Sequence, residues 1–359
     1  RAPHPRRLGP RAGTPGTPMT RVLVFNGALA DEDQPYGLQH LAEHGFTLVH
    51  PPRGHVPSRV IEAVYHRKHL LLHQPGVLAA RKADLVLAYL EPSLGWPALL
   101  KGMPGSPLRR LPLVAIVCWA AERLTTADAA ARERLLRSLH ACDLIGYWSR
   151  NQTAIFTAAG IPADRLVPLT FGVSSAGLVP PLHEAPDRDI DVLAVGMDLG
   201  RDYATLVAAA DGAAWTLRLV APGRNVEGLR MPVNVQLSGS VSFDEYLTLL
   251  HRARVVVVPT HELAYPTGQT VALEAAAAGC AVVVTGTAAM SEYFTDGVTA
   301  LMPPPGDVGA LRAAIDRLVG DPAYRHTLAV AGQEHVLTHH DRSRMWGELA
   351  AAIRSRRLG

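Results

Sequence analysis

Short runs of valine, leucine and isoleucine alternate along this chain with stretches that have the periodicity of helices. Continuous apolar strands between helices are typical of a parallel sheet that is covered on both faces. We therefore predict an α/β fold for the first half of the chain. Its predicted strands are residues 21–27, 46–50, 84–89, 113–118, 143–148 and 165–169.

The alternation pauses at residues 173–189, which are rich in proline, serine and charge, and then starts again. With 359 residues, the chain exceeds the usual size of one hydrophobic core. We therefore predict two doubly wound α/β domains, residues 19–173 and 190–340, joined by a linker at 174–189. In such folds ligands bind outside the carboxyl ends of the strands. The strands predicted in the second half are residues 190–196, 216–221, 234–239, 253–259, 281–286 and 299–303.

Composition excludes several classes of protein. The net charge of +3 reflects a basic first segment, residues 1–18, so the rest is near neutral and has no nucleic-acid footprint. Residues 1–18 also lack the apolar core of a signal peptide, and we interpret them as a disordered leader. No apolar run is long enough to predict a transmembrane helix. The three cysteines fit neither a disulfide framework nor a zinc site, which favours a reducing cytoplasm.

One segment of the second half, AYPTGQTVALEAAAAGCAVVVTG at residues 264–286, leads from a strand into a helix. The first turn of a helix offers unpaired backbone N–H groups and the positive end of the helix dipole. Gly268 lets a ligand approach closely, and Gln269 and Thr270 add side-chain donors, which suits a phosphate group. Glu274, one turn deeper, could accept hydrogen bonds from the hydroxyls of a sugar. The alternative is a helix whose glutamate simply points into solvent.

Five segments together form an ordered pattern, and they are ACDLIGYWSRNQTAIFTAAGIPADRLVPLTFGV (141–173), DVLAVGMDLGRDYATLVAAA (191–210), NVQLSGSVSFDEYLTLLHRARVVVVPT (234–260), VVVPTHELAYPTGQTVALEAAAAGCAVVVTG (256–286) and SEYFTDGVTALMPPPGDVGAL (291–311). In this order they resemble the retaining glycosyltransferases of the two-Rossmann-domain type, above all glycosyltransferase family 4. The resemblance covers residues 141–340 well, whereas residues 20–140 are only compatible with it. It implies GT-B architecture, in which two Rossmann-like doubly wound domains face a cleft. It also implies a last helix, within residues 341–359, that packs back on the first domain.

The resemblance implies a role for each residue that matches the family pattern. Glu274 would bind the ribose hydroxyls of a nucleotide sugar. The backbone of Gly268, Gln269 and Thr270 would hold its diphosphate. Arg201 stands where the family usually has a lysine, and as a catalytic candidate its always charged guanidinium could neutralise the phosphates. The other donor-binding candidates are Gly27, Gly196, Arg224, Gly239, Ser240, Val241 and Tyr265.

The chain departs from the family at two charged positions. Pro266 stands where the family has the first glutamate of a pair, eight residues before Glu274. Glu262, four residues earlier still, is the second catalytic candidate if a rearranged loop brings it back; otherwise it is a surface acid. Met197 stands where the family has an arginine, so the phosphate charge would fall to Arg201 and Arg224. The alternative for Arg224 is a solvated loop position.

The acceptor candidates are Trp119 and Tyr36. Trp119 lies near the place of a family histidine, where it could form a stacking wall for the acceptor or could belong to the core. His335 and His339–His340 lack the carboxylate or cysteine spacing of a metal site, and no Asp-x-Asp motif is present, so no metal is predicted. The basic stretch at 58–83 could touch an anionic membrane, although an ordinary solvated helix pair is the preferred interpretation.

We therefore expect a glycosyltransferase that moves a sugar from a nucleotide-diphosphate donor, with a UDP-sugar as first choice, to a small polar or natural-product acceptor with retention. In this family the leaving diphosphate is thought to help deprotonate the acceptor, so no metal or other cofactor is expected. We expect neither a nucleic-acid partner nor stable membrane insertion, and we expect a bacterial, cytoplasmic enzyme. Two alternatives stay open, a sugar-nucleotide epimerase on the same fold and a non-catalytic partner protein. A dehydrogenase is disfavoured because no G-x-G-x-x-G follows the first strand.

Overall fold

The computed structural model describes residues 19–25, 35–50, 79–179 and 188–358. The predicted leader, most of the basic stretch at 58–83 and the middle of the predicted linker lie outside these residues.

The described residues contain eleven strands, and all of their pairings are parallel. Most are short runs of valine, leucine, isoleucine and alanine, which fit the buried surface of a parallel sheet. The strands are β1 (Thr20–Phe25), β2 (Phe46–Val49), β3 (Leu85–Tyr89), β4 (Leu113–Ile116), β5 (Leu144–Tyr147), β6 (Leu166–Pro168), β7 (Ile190–Val195), β8 (Leu217–Val220), β9 (Val235–Ser238), β10 (Ala253–Val258) and β11 (Ala281–Val284).

The strands form two separate sheets. The first has six strands in the order β2-β1-β3-β4-β5-β6, and the second has five in the order β11-β10-β7-β8-β9. In the first sheet Val22 pairs with Leu85, and in the second Val257 pairs with Val283. The break between β6 and β7 coincides with the predicted linker, so each predicted half of the chain supplies one doubly wound sheet.

Helices separate the strands and cover both faces of each sheet. The α-helices are α1 (Gly95–Gly102), α2 (Ala120–Thr126), α3 (Ala129–His140), α4 (Gln152–Ala158), α5 (Tyr203–Ala210), α6 (Phe243–Arg252), α7 (Gln269–Ala277), α8 (Val308–Gly320), α9 (Pro322–His339) and α10 (Arg342–Ser355). Short 3₁₀ helices lie at Pro35–His44, Ala80–Lys82, Glu91–Ser93, Pro107–Arg110, Ala163–Arg165, Gly223–Asn225 and Met290–Glu292. None of the described helices has the length and apolar content needed to cross a membrane.

Successive buried side chains of a strand belong alternately to two hydrophobic clusters. In β1, Val22 and Val24 belong to one buried cluster and Leu23 belongs to another, because successive side chains of a strand point to opposite faces. The cluster that contains Val22 extends through the second domain to Val258 and also includes Trp346 of α10. The two sheets therefore share one continuous apolar region.

One predicted strand is wrong. Within the described residues, 299–303 make only isolated bridges, Leu301 with Val283 and Ala300 with Asp296. Leu301 donates its N–H to Val282 and accepts from Val284, and three prolines follow from residue 303. Pro303 still accepts the N–H of Gly286 at 2.8 Å, but proline has no N–H to donate in return, so no continuous ladder forms. The other predicted strands are confirmed, and their described ends agree within two residues.

The last helix, α10, packs on the first domain although it follows the second in sequence. Trp346 is 0 % exposed, and its indole N–H donates to the carbonyl of Tyr36 at 3.1 Å. Glu348 accepts the backbone N–H of Thr170 at 2.8 Å. Just before α10, the N–H of Val173 donates to His340 at 2.8 Å. The chain therefore crosses back, in the position that the resemblance implies for its last helix.

Replacing Trp346 by alanine should strongly destabilise the protein. A buried tryptophan truncated to alanine typically costs ~3–5 kcal/mol, because transfer energy is lost and a cavity remains. Urea unfolding followed by fluorescence and circular dichroism measures the loss. Leu99→Ala in α1 is the control, since Leu99 is 56 % exposed and should change the free energy of unfolding by less than ~0.5 kcal/mol. Equal midpoints for the two variants would contradict the packing described for α10.

Candidate functional site

A cavity of about 510 Å³ lies between the two domains. This volume is within the range of ~300–1,000 Å³ that is usual for small-molecule sites. The cavity is lined by residues that follow the carboxyl ends of strands from both sheets, where α/β folds bind their ligands. These residues include Leu90 after β3, Cys118 after β4, Trp148 after β5, Gly196 after β7, Ala221 after β8 and Ser240 after β9. We refer to it as the cleft.

Arg201 is a buried cation at the wall of the cleft. The residue is only 7 % exposed, and its guanidinium lies between Gly196 and Gly268, where an added Cβ on either glycine would come under 3.0 Å from it. Its Nε and Nη1 have no hydrogen-bond partner among the described residues. A buried guanidinium with missing partners is costly, so this arrangement favours an anionic ligand.

The backbone around Arg201 is fixed by the chain that follows β10. Arg201 forms an antiparallel bridge with Thr260, and the N–H of His261 donates to Gly200 at 3.0 Å. The hydroxyl of Tyr265 donates to Asp198 at 3.0 Å, and burial beside the Asp198 carboxylate raises the pKa of Tyr265. These contacts hold the Arg201 loop against the segment that leads into α7.

The amino end of α7 lies beside the Arg201 guanidinium. Gly268 is its N-cap residue, and φ of +85° puts Gly268 in the left-handed region that favours glycine. Gln269, Thr270 and Val271 form the first turn, and all three line the cleft. The positive end of the helix dipole and the buried guanidinium therefore act on the same part of the cleft, which suits a phosphate group.

Glu274 is buried in the wall of the cleft and does not point into bulk solvent. It is 7 % exposed, and its Oε2 accepts a hydrogen bond of 2.7 Å from the hydroxyl of Tyr246. Burial raises the pKa of the Glu274 carboxyl, while the Tyr246 hydrogen bond and the charge of Arg342 oppose this shift. A carboxylate in this position can accept hydrogen bonds from ligand hydroxyls.

The structure brings most of the predicted site residues together. Those that line the cleft are Tyr36, Trp119, Gly196, Arg201, Ser240, Val241, Tyr265, Gly268, Gln269, Thr270 and Glu274. Gly27 lies outside the described residues. Glu262, Arg224 and Gly239 are exposed and are not among the residues that line the cleft.

Glu262 lies outside the cleft lining, in a loop that contacts both domains. Its Oε1 accepts the backbone N–H of Ala288 at 3.2 Å. Two residues later, Ala264 donates its N–H to Glu122 at 2.9 Å and accepts from the side chain of Asn151 at 3.0 Å. The loop is thus fixed to the first domain, with Glu262 exposed and outside the cleft lining.

Arg224 and Gly239 also lie outside the cleft lining. The Arg224 guanidinium is exposed and, among the described residues, hydrogen-bonds only the carbonyl of Met197, at 3.5 Å. Arg224 therefore occupies a solvated loop position, which is the alternative that the sequence left open for it. Gly239 is the exposed residue between β9 and Ser240, and only the residues from Ser240 onwards reach the cleft.

The side of the cleft that belongs to the first domain is aromatic. Trp119 is half-buried and lines the cleft, so it is not a core residue. Trp148 and Phe171 meet edge to face with ring centroids 5.0 Å apart, and Tyr36 lies 5.8 Å from Tyr89. Tyr89, Trp148 and Phe171 were not among the site residues predicted from the sequence. Tyr89 and Trp148 could have been predicted, because each stands at the carboxyl end of a predicted strand.

Asp198 and Tyr246 are functional candidates that the sequence analysis also missed. Asp198 accepts the hydrogen bond of Tyr265, and Tyr246 donates to Glu274. Both residues line the cleft. Tyr246 gave no signal in the sequence because it shares the apolar face of α6 with core leucines.

The histidines near the end of α9 bind backbone carbonyls. His335 contacts the carbonyl of Tyr293 and His340 contacts that of Phe171, each at 3.0 Å. Burial lowers the pKa of His340 to about 4. Within the four described ranges, no group of three His, Cys, Asp or Glu side chains has a geometry that could hold a metal ion.

Part of the chain matches a known family. Residues 194–321 match the model of the family Glycosyl transferases group 1. Over 114 residues the chain is also 35 % identical to the glycogen synthase of Mycobacterium tuberculosis, in strains CDC 1551 and H37Rv. That match covers 32 % of this chain and 26 % of the relative, so the chain spans about a quarter of the length of the curated relatives it matches.

Solved structures resemble almost the whole chain. A sucrose-phosphate synthase from Thermosynechococcus elongatus aligns with a TM-score of 0.68 and 19 % identity, covering 94 % of this chain and 98 % of that one. The Anabaena protein HepE, solved in complex with UDP-glucose, aligns with a TM-score of 0.70 and 16 % identity, covering 94 % and 100 %. The fold is therefore that of GT-B glycosyltransferases, and the predicted fold class is confirmed.

Gly268→Ala should destabilise the protein more than Gly212→Ala does. Both glycines have a positive φ, +85° and +65°, so either alanine costs ~1–2 kcal/mol in backbone strain. A Cβ at Gly212 meets no atom within 4 Å, whereas one at Gly268 would press on Arg201 and Val258. Overpacking of this kind adds ~1–3 kcal/mol. Urea unfolding of the two variants measures the difference, and equal losses would mean that Arg201 is free to move aside.

Proposed function

We propose that this chain is a nucleotide-sugar-dependent glycosyltransferase that acts with retention of anomeric configuration. The observation that carries the proposal is the buried Arg201 guanidinium, with two unpartnered nitrogens, beside the amino end of α7 in the cleft. A diphosphate bound there would satisfy both the guanidinium and the helix dipole. Preorganised charge of this kind acts on the leaving diphosphate, where one donor is typically worth ~2.7–4 kcal/mol.

The ribose of the donor would lie against Glu274. The carboxylate is oriented by Tyr246, so an acceptor oxygen remains for hydroxyl groups of the ligand. The base would lie toward Ser240 and Val241, which line the cleft after β9, the strand that pairs with β8. The residues proposed to hold the phosphate, the ribose and the base all belong to the second domain, in which residues 194–321 match the glycosyl transferase family.

The transfer step needs few protein groups. The bond between the anomeric carbon and the diphosphate oxygen breaks, the acceptor oxygen bonds to the same face, and its proton passes to the departing diphosphate. Among the described residues that line the cleft, the carboxylates are Asp198 and Glu274, and both already accept hydrogen bonds from tyrosines. This supports a mechanism in which the leaving group takes the acceptor proton.

The donor and acceptor follow from separate observations. UDP-glucose is the first donor to test, because the structurally similar HepE was solved in complex with it. The aromatic side of the cleft, with Trp119 and Tyr36, would hold a small polar or natural-product acceptor by stacking. No further cofactor is part of this proposal. The three free cysteines are consistent with a cytoplasmic location.

A non-catalytic partner protein is the second candidate function. The position of Glu262 outside the cleft lining and the presence of Pro266 favour it, since the carboxylate expected near the donor sugar is missing from the described site. Such a protein could still bind a nucleotide. Assaying UDP release with and without a panel of acceptors separates the two candidates.

Arg201→Met should weaken binding of nucleoside diphosphates without unfolding the protein. Methionine fills a similar volume but removes the charge, so affinity should fall by ~1.5–3 kcal/mol, as for loss of a charged hydrogen bond. Thermal shifts with UDP, GDP, TDP, ADP and NAD measure it, because ligand at 100 times its Kd stabilises by ~2.7 kcal/mol. Arg224→Met is the exposed control. No shift of the wild-type protein with any of the five would refute the donor site.

Glu274→Gln should weaken the binding of nucleotide but not of pyrophosphate. The substitution keeps shape and removes the charge that strengthens hydrogen bonds to ribose hydroxyls, so the Kd of the preferred nucleoside diphosphate should rise about tenfold. Pyrophosphate lacks the ribose and should bind the variant as it binds the wild type. Titration calorimetry with both ligands gives the comparison. An unchanged nucleotide Kd would remove Glu274 from the ribose site.

A further inference from the structure

A second cavity, of about 420 Å³, lies within the first domain. Its walls are the 3₁₀ helix that begins at Glu91, the start of α1, the end of α2 and the middle of α3. All of its lining residues belong to the described range 79–179. We call it the first-domain cavity, and its lining shares no residue with that of the cleft.

Two cations without ion-pair partners line the first-domain cavity. Arg123 and Arg134 are exposed, and neither has a carboxylate within ion-pair distance among the described residues. Arg123 lies 5.9 Å from the centroid of the Trp119 ring, and Arg134 projects from α3. Two guanidinium groups on one cavity suit a phosphate or carboxylate group.

Glu91 adds a buried polar group to the same cavity. The residue is 9 % exposed, and its Oε1 accepts the backbone N–H groups of Cys118 at 2.9 Å and Trp119 at 2.5 Å. Its Oε2 is buried and has no hydrogen-bond partner in the part of the chain that the structure describes. Burial raises the pKa of this carboxyl, and a proton carried on Oε2 would equally lack a partner.

A hydroxyl group on a ligand could pair with Glu91 Oε2 whether the carboxyl is ionised or protonated, because a hydroxyl both donates and accepts hydrogen bonds. A buried carboxyl oxygen that stays unsatisfied is costly, and such groups in native structures call for an explanation. The cavity thus offers two cations for an anionic group and one buried carboxyl oxygen for a hydroxyl. Its volume is within the range of small-molecule sites.

We propose that the first-domain cavity binds a small anion that also carries hydroxyl groups, such as a phosphate monoester of a polyol. Arg123 and Arg134 bind the anionic group, and Glu91 Oε2 pairs with a hydroxyl. The site is separate from the cleft, so its ligand is neither the sugar donor nor the acceptor.

Titration calorimetry with glycerol 3-phosphate tests this site, and inorganic phosphate and glycerol are the comparison ligands. Wild-type protein should bind glycerol 3-phosphate more tightly than inorganic phosphate, and glycerol should not bind measurably. Arg134→Met should raise the Kd for glycerol 3-phosphate at least about tenfold, as for loss of a charged hydrogen bond. Arg137→Met is the matched control, because Arg137 lies on the same helix, is exposed and does not line the cavity.

The Arg201→Met variant separates this site from the cleft. It should retain glycerol 3-phosphate binding, whereas binding at the phosphate site of the cleft would be lost with Arg201. The proposal is overturned if wild-type protein does not bind glycerol 3-phosphate, if Arg137→Met weakens binding as much as Arg134→Met, or if Arg201→Met abolishes it. Equal affinities for inorganic phosphate and glycerol 3-phosphate would overturn the role of Glu91. Each result is independent of whether a nucleoside diphosphate binds.

Discussion

The buried charge of Arg201 is the constraint on which the cleft depends. Its guanidinium fits only because the residues on both sides, Gly196 and Gly268, have no side chain. Gly196 directly follows β7, and Gly268 is the N-cap residue of α7. A single side chain thus sets the backbone at two strand-to-helix connections, and the free energy that its burial costs is available to an anion that binds there.

Contacts between the domains fix the rest of the cleft. The backbone of Ala264 is held by Glu122 and Asn151, and Glu292 accepts the N–H groups at the start of α4. These bonds join the loop after β10 to helix ends of the first domain. Trp119 and Tyr36 line the cleft together with Arg201, whereas Glu262 lies outside its lining. The same bonds make the relative position of the two domains part of the site.

The sequence predicted those features that depend on neighbouring residues. Strands, the glycine at the start of α7 and the carboxylate one turn later follow from local periodicity and backbone preference. The strand prediction for residues 299–303 was wrong because it rested on the apolar run and gave no weight to the prolines that start at residue 303. Tyr246, Asp198 and Glu91 were missed because their roles depend on partners at least 27 residues away or on burial. The position of the Glu262 loop does not follow from the sequence for the same reason, since contacts with the first domain hold it.

The position of α10 affects how the chain folds as it is synthesised. Trp346 completes the core of the first domain, next to Tyr89 and Tyr36, but it follows the whole second domain in sequence. At ~5–20 residues per second, a ribosome needs roughly ten to thirty seconds between the last strand of the first domain and this helix. During that interval the nascent first domain exposes the apolar groove that α10 later fills. The emerging chain therefore offers a binding surface to chaperones that the finished protein lacks.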